Sequence, residues 1–330
     1  MSKKSNAFHS ISQINNLIGG SNATKKARGR HGREIVEYLI SQDVHLRSIR
    51  EIETGHVKKY ATYLTDLSKN YRKPSAATIQ NKLASIRSLL SACGKDLTAM
   101  GIATSKELEI ESRSRIGTKL PITDELFDDA CKKCLEFGEI GMLHAINLER
   151  YLGLRGLEAL MSTNALLKLS KEANGISTGQ ICNVDIYDGT KGGRPRVTQV
   201  IFEHADVTMK VIKEALLYAQ QNGGYLIEGK KSGLKTAKYL YHNLARKIDL
   251  VGEYAPHSLR YRYACDKLNE LYLLGVPRKE AFAAASAWLG HGEARGRFVS
   301  MVYGKTVAHK FKITTKIKDQ SAVLNFISKL

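Results

Sequence analysis

Four short segments in the second half of the chain carry side chains suited to phosphate chemistry. They are residues 153–158 (Gly-Leu-Arg-Gly-Leu-Glu), 190–193 (Thr-Lys-Gly-Gly), 257–260 (His-Ser-Leu-Arg) and 289–291 (Leu-Gly-His), followed by Tyr303. His257 and Arg260 are three residues apart in a helical stretch, so both project from one face. With Arg155, they provide two guanidinium groups that can hold both non-bridging oxygens of a phosphodiester and neutralise charge developing at phosphorus.

Tyr303 is the candidate nucleophile. A tyrosine hydroxyl with a pKa of about 10 is only about one part in a thousand ionised at pH 7, so it needs neighbouring cations and a proton acceptor. His257 is a suitable acid–base partner, and Glu158 is expected to orient its imidazole from behind. Lys191 at a hairpin tip suits a general acid that reaches a departing 5′ oxygen, and His291 would donate a further hydrogen bond to the phosphate.

The order and spacing of these residues resemble the tyrosine recombinase (phage integrase) family. Its catalytic domain presents an Arg, a hairpin Lys, a His-x-x-Arg pair, a His or Trp after Leu-Gly, and then a Tyr, which corresponds to residues 120–310 here. The resemblance implies transesterification, in which the tyrosine attacks DNA phosphorus to give a 3′-phosphotyrosyl link and a free 5′-hydroxyl. The 5′-hydroxyl of another strand then reverses the link.

The resemblance also implies partners. It predicts a site-specific recombinase of integrase type, carried by a mobile genetic element and acting as a tetramer on two paired double-stranded DNA sites. An accessory DNA-bending protein is a possible further partner.

The spacing of the nucleophile departs from the family pattern. Tyr303 follows His291 by twelve residues, whereas the family usually has nine, and Ser300 occupies the expected place. Residues 292–297 (Gly-Glu-Ala-Arg-Gly-Arg) are interpreted as a three-residue expansion of this loop, which leaves Tyr303 able to reach the site. Tyr261 and Tyr263, beside Arg260, are expected to pack instead.

Two other functions use the same residue set. One is a non-catalytic DNA-binding or architectural protein that pairs or bends sites without cutting. The other is an enzyme with a different outcome, either type IB topoisomerase-like or hairpin-forming.

No cofactor and no metal are expected. The energy of the phosphoester bond is conserved in the phosphotyrosyl link, so no nucleotide hydrolysis is needed. The sequence also lacks both a Gly-x-x-x-x-Gly-Lys-Ser/Thr loop and a clustered carboxylate signature for two metals. Cys131 and Cys134 have metal-like spacing but no second pair, and the pair is interpreted as one face of a helix.

The charge of the chain favours a polyanionic partner. Its 330 residues (36.6 kDa) hold 51 Lys+Arg and 32 Asp+Glu, a net charge of +19 with a pI of about 9.6. Residues 1–106 hold 18 basic and 7 acidic residues, against 33 and 25 in the rest, so the first third is the more basic.

Five scattered cysteines, the absence of a long apolar run and a polar N-terminus favour a cytoplasmic protein rather than a membrane or secreted one.

The first hundred residues are predicted to be helical and to contact DNA. Apolar side chains follow the helical period at positions 57, 60, 64 and 67 and again at 79, 83, 86 and 90, the second set after a Pro74-Ser75 start signal. A basic run near the start of another helix, and one face of the second of these helices, are predicted to contact phosphates, with an ordinary solvated surface as the alternative. The residues are Lys25, Lys26, Arg28, Arg30, Lys82 and Ser85.

The chain is predicted to form two domains, 1–112 and 113–330, because residues 107–121 have mixed charge, no apolar stripe and a Gly and Pro ending. The second domain is predicted to be helical, bent near Gly153 and Gly156, with a hairpin at 180–202. The fold class is therefore mainly α with a small β-hairpin (α+β). The resemblance implies a helical SAM-like core-binding domain followed by a tyrosine-recombinase catalytic domain.

Residues 321–330 are amphipathic and are expected either to pack on their own domain or, as the resemblance implies, to dock on a neighbouring protomer.

Overall fold

The first four helices of the protein bury a continuous apolar core. A computed structural model describes residues 3–67, 74–114, 117–161, 167, 183–227 and 233–312. The helices are α1 (Lys3–Ile18), α2 (Asn22–Ser41), α3 (Thr54–Leu67) and α4 (Ala76–Ala92). They belong to a compact unit, Met1–Ser114, whose end lies two residues beyond the predicted boundary.

The helix starts and the apolar stripes of this unit follow local chemistry. Ser21 and Ser75 cap α2 and α4, each hydroxyl accepting from the backbone N–H three residues on at 3.2 Å. All four predicted apolar positions of α4 are buried. In α3 the stripe is buried at 57, 60 and 64, but Leu67 is 36% exposed because the helix ends there.

The second unit, Arg115–Leu330, is built around helix α6. Its elements are α5 (Asp124–Glu136), α6 (Ile140–Leu152), α7 (Gly156–Met161), β1 (Asn183–Ile186), β2 (Arg196–Gln199), α8 (Ala205–Gln221), α9 (Leu234–Lys247), α10 (His257–Leu273), α11 (Arg278–Trp288) and α12 (Gly296–Val302). Helix α6 packs against α5, α8 and α10, with Ile146, Leu148 and Leu152 fully buried. A second apolar cluster joins α10, α11 and α12, and it contains Trp288.

The predicted bend between α6 and α7 is confirmed. Helix α6 ends at Leu152, and Gly153 takes a left-handed conformation with φ of 59°. A Cβ at this glycine would lie 2.3 Å from a ring carbon of Tyr263, so the turn requires glycine on both conformational and steric grounds.

The predicted hairpin is also confirmed, with shorter strands. Strands β1 and β2 are antiparallel, with register from Asn183 opposite Gln199 to Ile186 opposite Arg196. A 3₁₀ turn over Lys191–Gly193 lies in the connection between them. Phe202, predicted as strand, instead begins a second 3₁₀ turn. The fold is thus mainly helical with one two-stranded sheet among the described residues, as the sequence predicts.

Two predictions concern residues outside the described part of the chain: Cys182 in the first strand and the segment 321–330. In the described part, no helix is both long enough and apolar enough to cross a bilayer.

Candidate active site

Tyr303 lies immediately after α12 with its hydroxyl between two imidazoles. Its Oη is 3.1 Å from Nε2 of His257 and 3.3 Å from Nε2 of His291. The residue is 4% exposed. The longer spacing from His291 is taken up by a 3₁₀ turn at Glu293–Arg295 before α12, so Tyr303 still reaches both histidines.

The two histidines are held by different elements. His257 is the first residue of α10, and His291 follows α11 in a turn whose backbone N–H donates to the carbonyl of Ser286 at 2.9 Å. Burial, followed by the charges of Arg260 and Arg155, lowers the pKa of His257 to about 4. The same causes in the same order lower the pKa of His291 to about 3.

Both imidazoles are therefore neutral at pH 7. A neutral imidazole has one ring nitrogen that can accept a hydrogen bond, so either Nε2 can accept the phenolic proton in the tautomer protonated at Nδ1. In the other tautomer Nε2 donates. The pair can thus supply one acceptor and one donor at the Tyr303 oxygen.

Arg260 lies directly beneath the Tyr303 ring. Its side chain is fully buried, with the guanidinium carbon 5.8 Å from the ring centroid. It donates to the backbone carbonyls of Gly153 and Leu289. Burial, followed by the charge of Arg196, lowers the pKa of Arg260 to about 10, so it remains a cation at pH 7. Its Nε–H is unpaired within the described residues.

Arg155 is the more accessible of the two predicted clamp arginines. It precedes α7, and its Nη2 donates to the carbonyl of Leu289 at 3.1 Å, the carbonyl that Arg260 also uses. One backbone oxygen in the turn after α11 therefore fixes both guanidinium groups. The structure brings Arg155, Arg260, His257 and Tyr303 into one cluster, although they come from three separate parts of the sequence.

Glu158 is fully buried, and its contacts correct the predicted partner. Its carboxylate accepts from the side chain and backbone N–H of Arg155 and, at 2.7 and 3.2 Å, from Arg196, whereas the sequence interpretation has it orient His257. Burial opposes its ionisation. The hydrogen bond and charge of Arg196, followed by the charges of Arg260 and Arg155, outweigh burial and lower the Glu158 pKa to about 2.

Arg196 is a member of this cluster that the sequence interpretation missed. It begins β2 and is 8% exposed, while its neighbour Val197 is 40% exposed. The strand thus buries the charged side chain and exposes the apolar one. The sequence shows that polar and apolar residues alternate here, but only the strand register, with Arg196 opposite the buried Ile186, shows that the charged face turns inward.

Lys191 is exposed at the tip of the hairpin. It lines a cavity of about 1000 Å³ together with Arg155, His291 and Arg295. Its charge is one of the causes that lower the His291 pKa. The structure places Lys191 at the wall of the same cavity as the cluster, without a direct hydrogen bond to the other predicted catalytic residues among those described.

The predicted DNA-contacting residues of the first unit separate into two groups. Lys25, Lys26 and Arg30 line a shallow pocket of about 280 Å³ with Arg33. Arg28 is instead 6% exposed. Its Nε and Nη2 donate to Asn15 Oδ1 and the Gly19 carbonyl, each at 2.6 Å, so this arginine joins α1 to α2, and the predicted phosphate contact would have to break these hydrogen bonds.

Lys82 and Ser85 also have protein partners. Lys82 Nζ is 2.9 Å from a carboxylate oxygen of Glu34, and the Ser85 hydroxyl is 2.9 Å from Nδ1 of His31. Both residues are half-buried between α2 and α4. A DNA contact by either would have to compete with these interactions.

The described residues contain no group of three or more His, Cys, Asp or Glu side chains arranged to hold a metal ion. Cys131 and Cys134 lie one turn apart on α5, and burial raises the pKa of each thiol to about 12. Thiols in this state are protonated at pH 7 and are poor metal ligands.

Comparison with known proteins places both units in one family. Residues 1–99 match the family model described as phage integrase, N-terminal, and residues 109–266 match the model described as integrase. No curated protein sequence gives a significant match.

Solved structures give remote matches over nearly the whole chain. One is the XerA recombinase crystal structure, at 12% identity and a TM-score of 0.34, covering 99% of this chain and 98% of that one. Another is a fragment of the Tn1549 transposon integrase in complex with transposon right-end DNA, at 14% identity and a TM-score of 0.47, covering 97% and 99%. On these two family models, which together cover residues 1–99 and 109–266, the chain belongs to the phage integrase, or tyrosine recombinase, family.

Proposed function

We propose that this protein is a site-specific DNA recombinase that cuts and rejoins DNA by transesterification through Tyr303. The observation that carries the proposal is the position of the Tyr303 hydroxyl, 3.1 and 3.3 Å from two neutral imidazoles and above a buried arginine. A phenol so placed has an acceptor for its proton and a cation for the charge that develops when it attacks phosphorus.

In the proposed cleavage step, Arg155 and Arg260 hold the non-bridging oxygens of the scissile phosphate. The Tyr303 proton passes to His257 as Oη bonds to phosphorus. The bond from phosphorus to the 5′ oxygen breaks, and Lys191 donates a proton to that oxygen. The products are a 3′-phosphotyrosyl link and a free 5′-hydroxyl, and His291 donates a hydrogen bond to the phosphate in the transition state.

The resting conformation requires one movement before this step. Tyr303 covers Arg260, whose side chain is fully buried, so a phosphate reaches that guanidinium only after the tyrosine ring moves aside. The Nε–H of Arg260, which has no partner among the described residues, is then available to the phosphate.

Rejoining uses the same groups in reverse. The 5′-hydroxyl of another strand attacks the phosphotyrosyl phosphorus, a proton returns to Tyr303, and the ester is conserved throughout. The proposed reaction therefore consumes no nucleotide. Its partners are double-stranded DNA sites, bound in the cytoplasm by a homotetramer on two paired sites of a mobile element.

Covalent trapping tests the proposal. A nicked suicide duplex, tiled from the DNA flanking the gene, is incubated with the protein in EDTA and resolved on a denaturing gel. The wild type is expected to form a protein–DNA adduct, and Tyr303→Phe to form none while binding the DNA with similar affinity. Tyr261→Phe is the matched control, because its ring lies 4.5 Å from that of Tyr303 and is equally buried.

The other outcomes point to other functions. No adduct from the wild type on DNA that it binds would indicate a non-catalytic binding protein on the same scaffold. A Tyr303-dependent relaxation of any supercoiled plasmid, whatever its sequence, would indicate a type IB topoisomerase instead.

A further inference from the structure

Arg196 is a buried cation that the proposed chemistry does not use. It begins β2, five residues after Lys191, and all of its guanidinium nitrogens donate hydrogen bonds. Nε and Nη2 donate to Glu158, Nη2 also to the Gly153 carbonyl at 3.2 Å, and Nη1 to the Trp288 carbonyl. One side chain thus ties together the strand, the turn between α6 and α7, and the turn after α11.

Two of the three acceptors of Arg196 also hold a clamp arginine. Glu158 also binds Arg155, and the Gly153 carbonyl also binds Arg260. The Trp288 carbonyl is adjacent to that of Leu289, which both clamp arginines share. Three guanidinium groups therefore surround one carboxylate and three carbonyls, and a shift of Arg196 would be transmitted to the other two.

The turn that carries His291 rests directly on Arg196. Gly290 has a φ of 64°, and a Cβ there would lie 2.5 Å from Cδ of Arg196. The backbone of this turn therefore contacts the aliphatic part of the Arg196 side chain, while the Trp288 carbonyl accepts a hydrogen bond from its guanidinium group. Arg196 therefore contacts both the turn that carries His291 and the groups that hold the clamp arginines.

We propose that Arg196 is a positioning residue for strand cleavage: acting through Glu158 and the carbonyls of Gly153 and Trp288, it orients Arg155 and Arg260 toward the scissile phosphate and holds the turn that carries His291. We assign it no DNA contact of its own, because each of its three guanidinium nitrogens already donates within the protein. This inference rests on the proposed function.

Substitutions of Arg196 separate its charge from its geometry. Arg196→Met keeps most of the aliphatic length but removes the charge and every donor. Arg196→Lys keeps the charge but cannot reach three acceptors at once. Because displacement of a positioning group by about 1 Å can cost on the order of 100-fold, we expect Met to slow cleavage by about 100-fold and Lys by about 10-fold.

The readout that separates positioning of the clamp from general structural damage is the charge of the substrate. Single-turnover cleavage is measured on the trapped duplex with either an ordinary phosphodiester or a neutral methylphosphonate at the cleavage position. A methylphosphonate carries no charge to be neutralised, so it depends less on the two arginines. The defect of both Arg196 variants relative to wild type is expected to fall to within about 3-fold on this substrate.

Arg150→Met is the matched control. Arg150 is 3% exposed and forms an ion pair with Asp266 at 2.8 Å, away from the cluster. Arg150→Met measures how much the loss of a buried arginine elsewhere in this unit slows cleavage. Any rate defect is expected to be equal on the two substrates.

A double-mutant cycle with Glu158→Gln gives an independent measurement on ordinary DNA. Because Arg196 acts through Glu158, the double variant should be little slower than the slower single variant. DNA affinity and circular dichroism of each variant establish that it is folded.

The outcomes are distinguishable. Equal defects of Arg196→Met on both substrates, or additive defects in the cycle, would overturn this inference while leaving the proposed function in place. If no protein cleaves the methylphosphonate, the cycle decides alone. Absence of any adduct with the wild type on DNA that it binds would overturn the proposed function and this inference together.

Discussion

At the scale of single residues, the site combines two neutral histidines with one phenol. Their neutrality follows from burial next to cations, which lowers both pKa values well below 6.5. A histidine charged at pH 7 would be unable to accept the Tyr303 proton. The same burial that makes these side chains useful therefore costs stability when the solution becomes acidic.

The pH dependence of stability tests the state of His257. The unfolded chain, with an imidazole pKa near 6.5, takes up a proton at higher pH than the folded chain, whose pKa is about 4. The contribution of the neutral His257 to the free energy of unfolding is therefore full above pH 6.5 and is lost as the pH falls toward 4. Between pH 7 and 5, His257→Asn should lose about 1–2 kcal/mol less unfolding free energy than the wild type. Denaturant unfolding at the two pH values measures this, and parallel losses would show that His257 titrates normally.

Much of this residue set could be predicted from sequence, because the spacing of His257 and Arg260 on one helix turn is a local property. The partner of Glu158 could not. Two of its three cationic neighbours, Arg196 and Arg260, are 38 and 102 residues away in sequence, and only the tertiary fold brings their side chains to Glu158.

At the scale of elements, the hairpin links the exposed Lys191 to the buried Arg196. Two glycines with positive φ follow Lys191, and the strand pairing begins again at Arg196. The turn residues predicted the hairpin correctly, whereas the face of β2 that turns inward depends on the register with β1. The conformation of the hairpin tip thus follows from local sequence, whereas the burial of the strand at its base depends on tertiary packing.

Lys191 is predicted to protonate the leaving 5′ oxygen. Lys191→Met should slow cleavage of ordinary DNA by about 100-fold or more, the usual contribution of a general acid. A substrate with sulfur in place of the bridging 5′ oxygen should restore the rate, because a thiolate leaves without a proton. Arg194→Met, three residues along the same exposed turn, is the control.

The measurement is single-turnover cleavage of both duplexes by both variants. A Lys191→Met defect of equal size on the sulfur substrate would assign the lysine to DNA binding rather than to proton transfer. An Arg194→Met defect that sulfur relieves would move the assignment to Arg194.

At the scale of the whole molecule, a charge of +19 indicates a polyanionic partner but does not identify the contacts. The basic run in α2 shows why. Its residues look alike in sequence, but the pairing of α1 with α2 buries Arg28 against Asn15 and leaves Lys26 exposed. The neighbouring helix therefore determines which side chain of a basic run is buried within the protein.

Salt dependence separates these two residues. Lys26→Met should reduce the slope of log K against log salt by about 0.9, because one phosphate contact is lost. Arg28→Met should leave the slope unchanged and lower the unfolding free energy by about 1–3 kcal/mol, since the buried Asn15 loses its partner. Fluorescence anisotropy titrations over a salt series, with denaturant unfolding, test both. A reduced slope for Arg28→Met alone would contradict the assignment.

Mass spectrometry of the covalent adduct tests whether the Tyr303 oxygen bonds to DNA phosphorus. Trypsin cleaves after Arg297 and Lys305, so Tyr303 and Ser300 share one peptide, while Tyr261 lies in another. After nuclease digestion, we expect a nucleotide mass on the peptide 298–305, located on Tyr303 by fragmentation. A nucleotide on Ser300 or Tyr261, or no modified peptide from DNA that the protein binds, would contradict it.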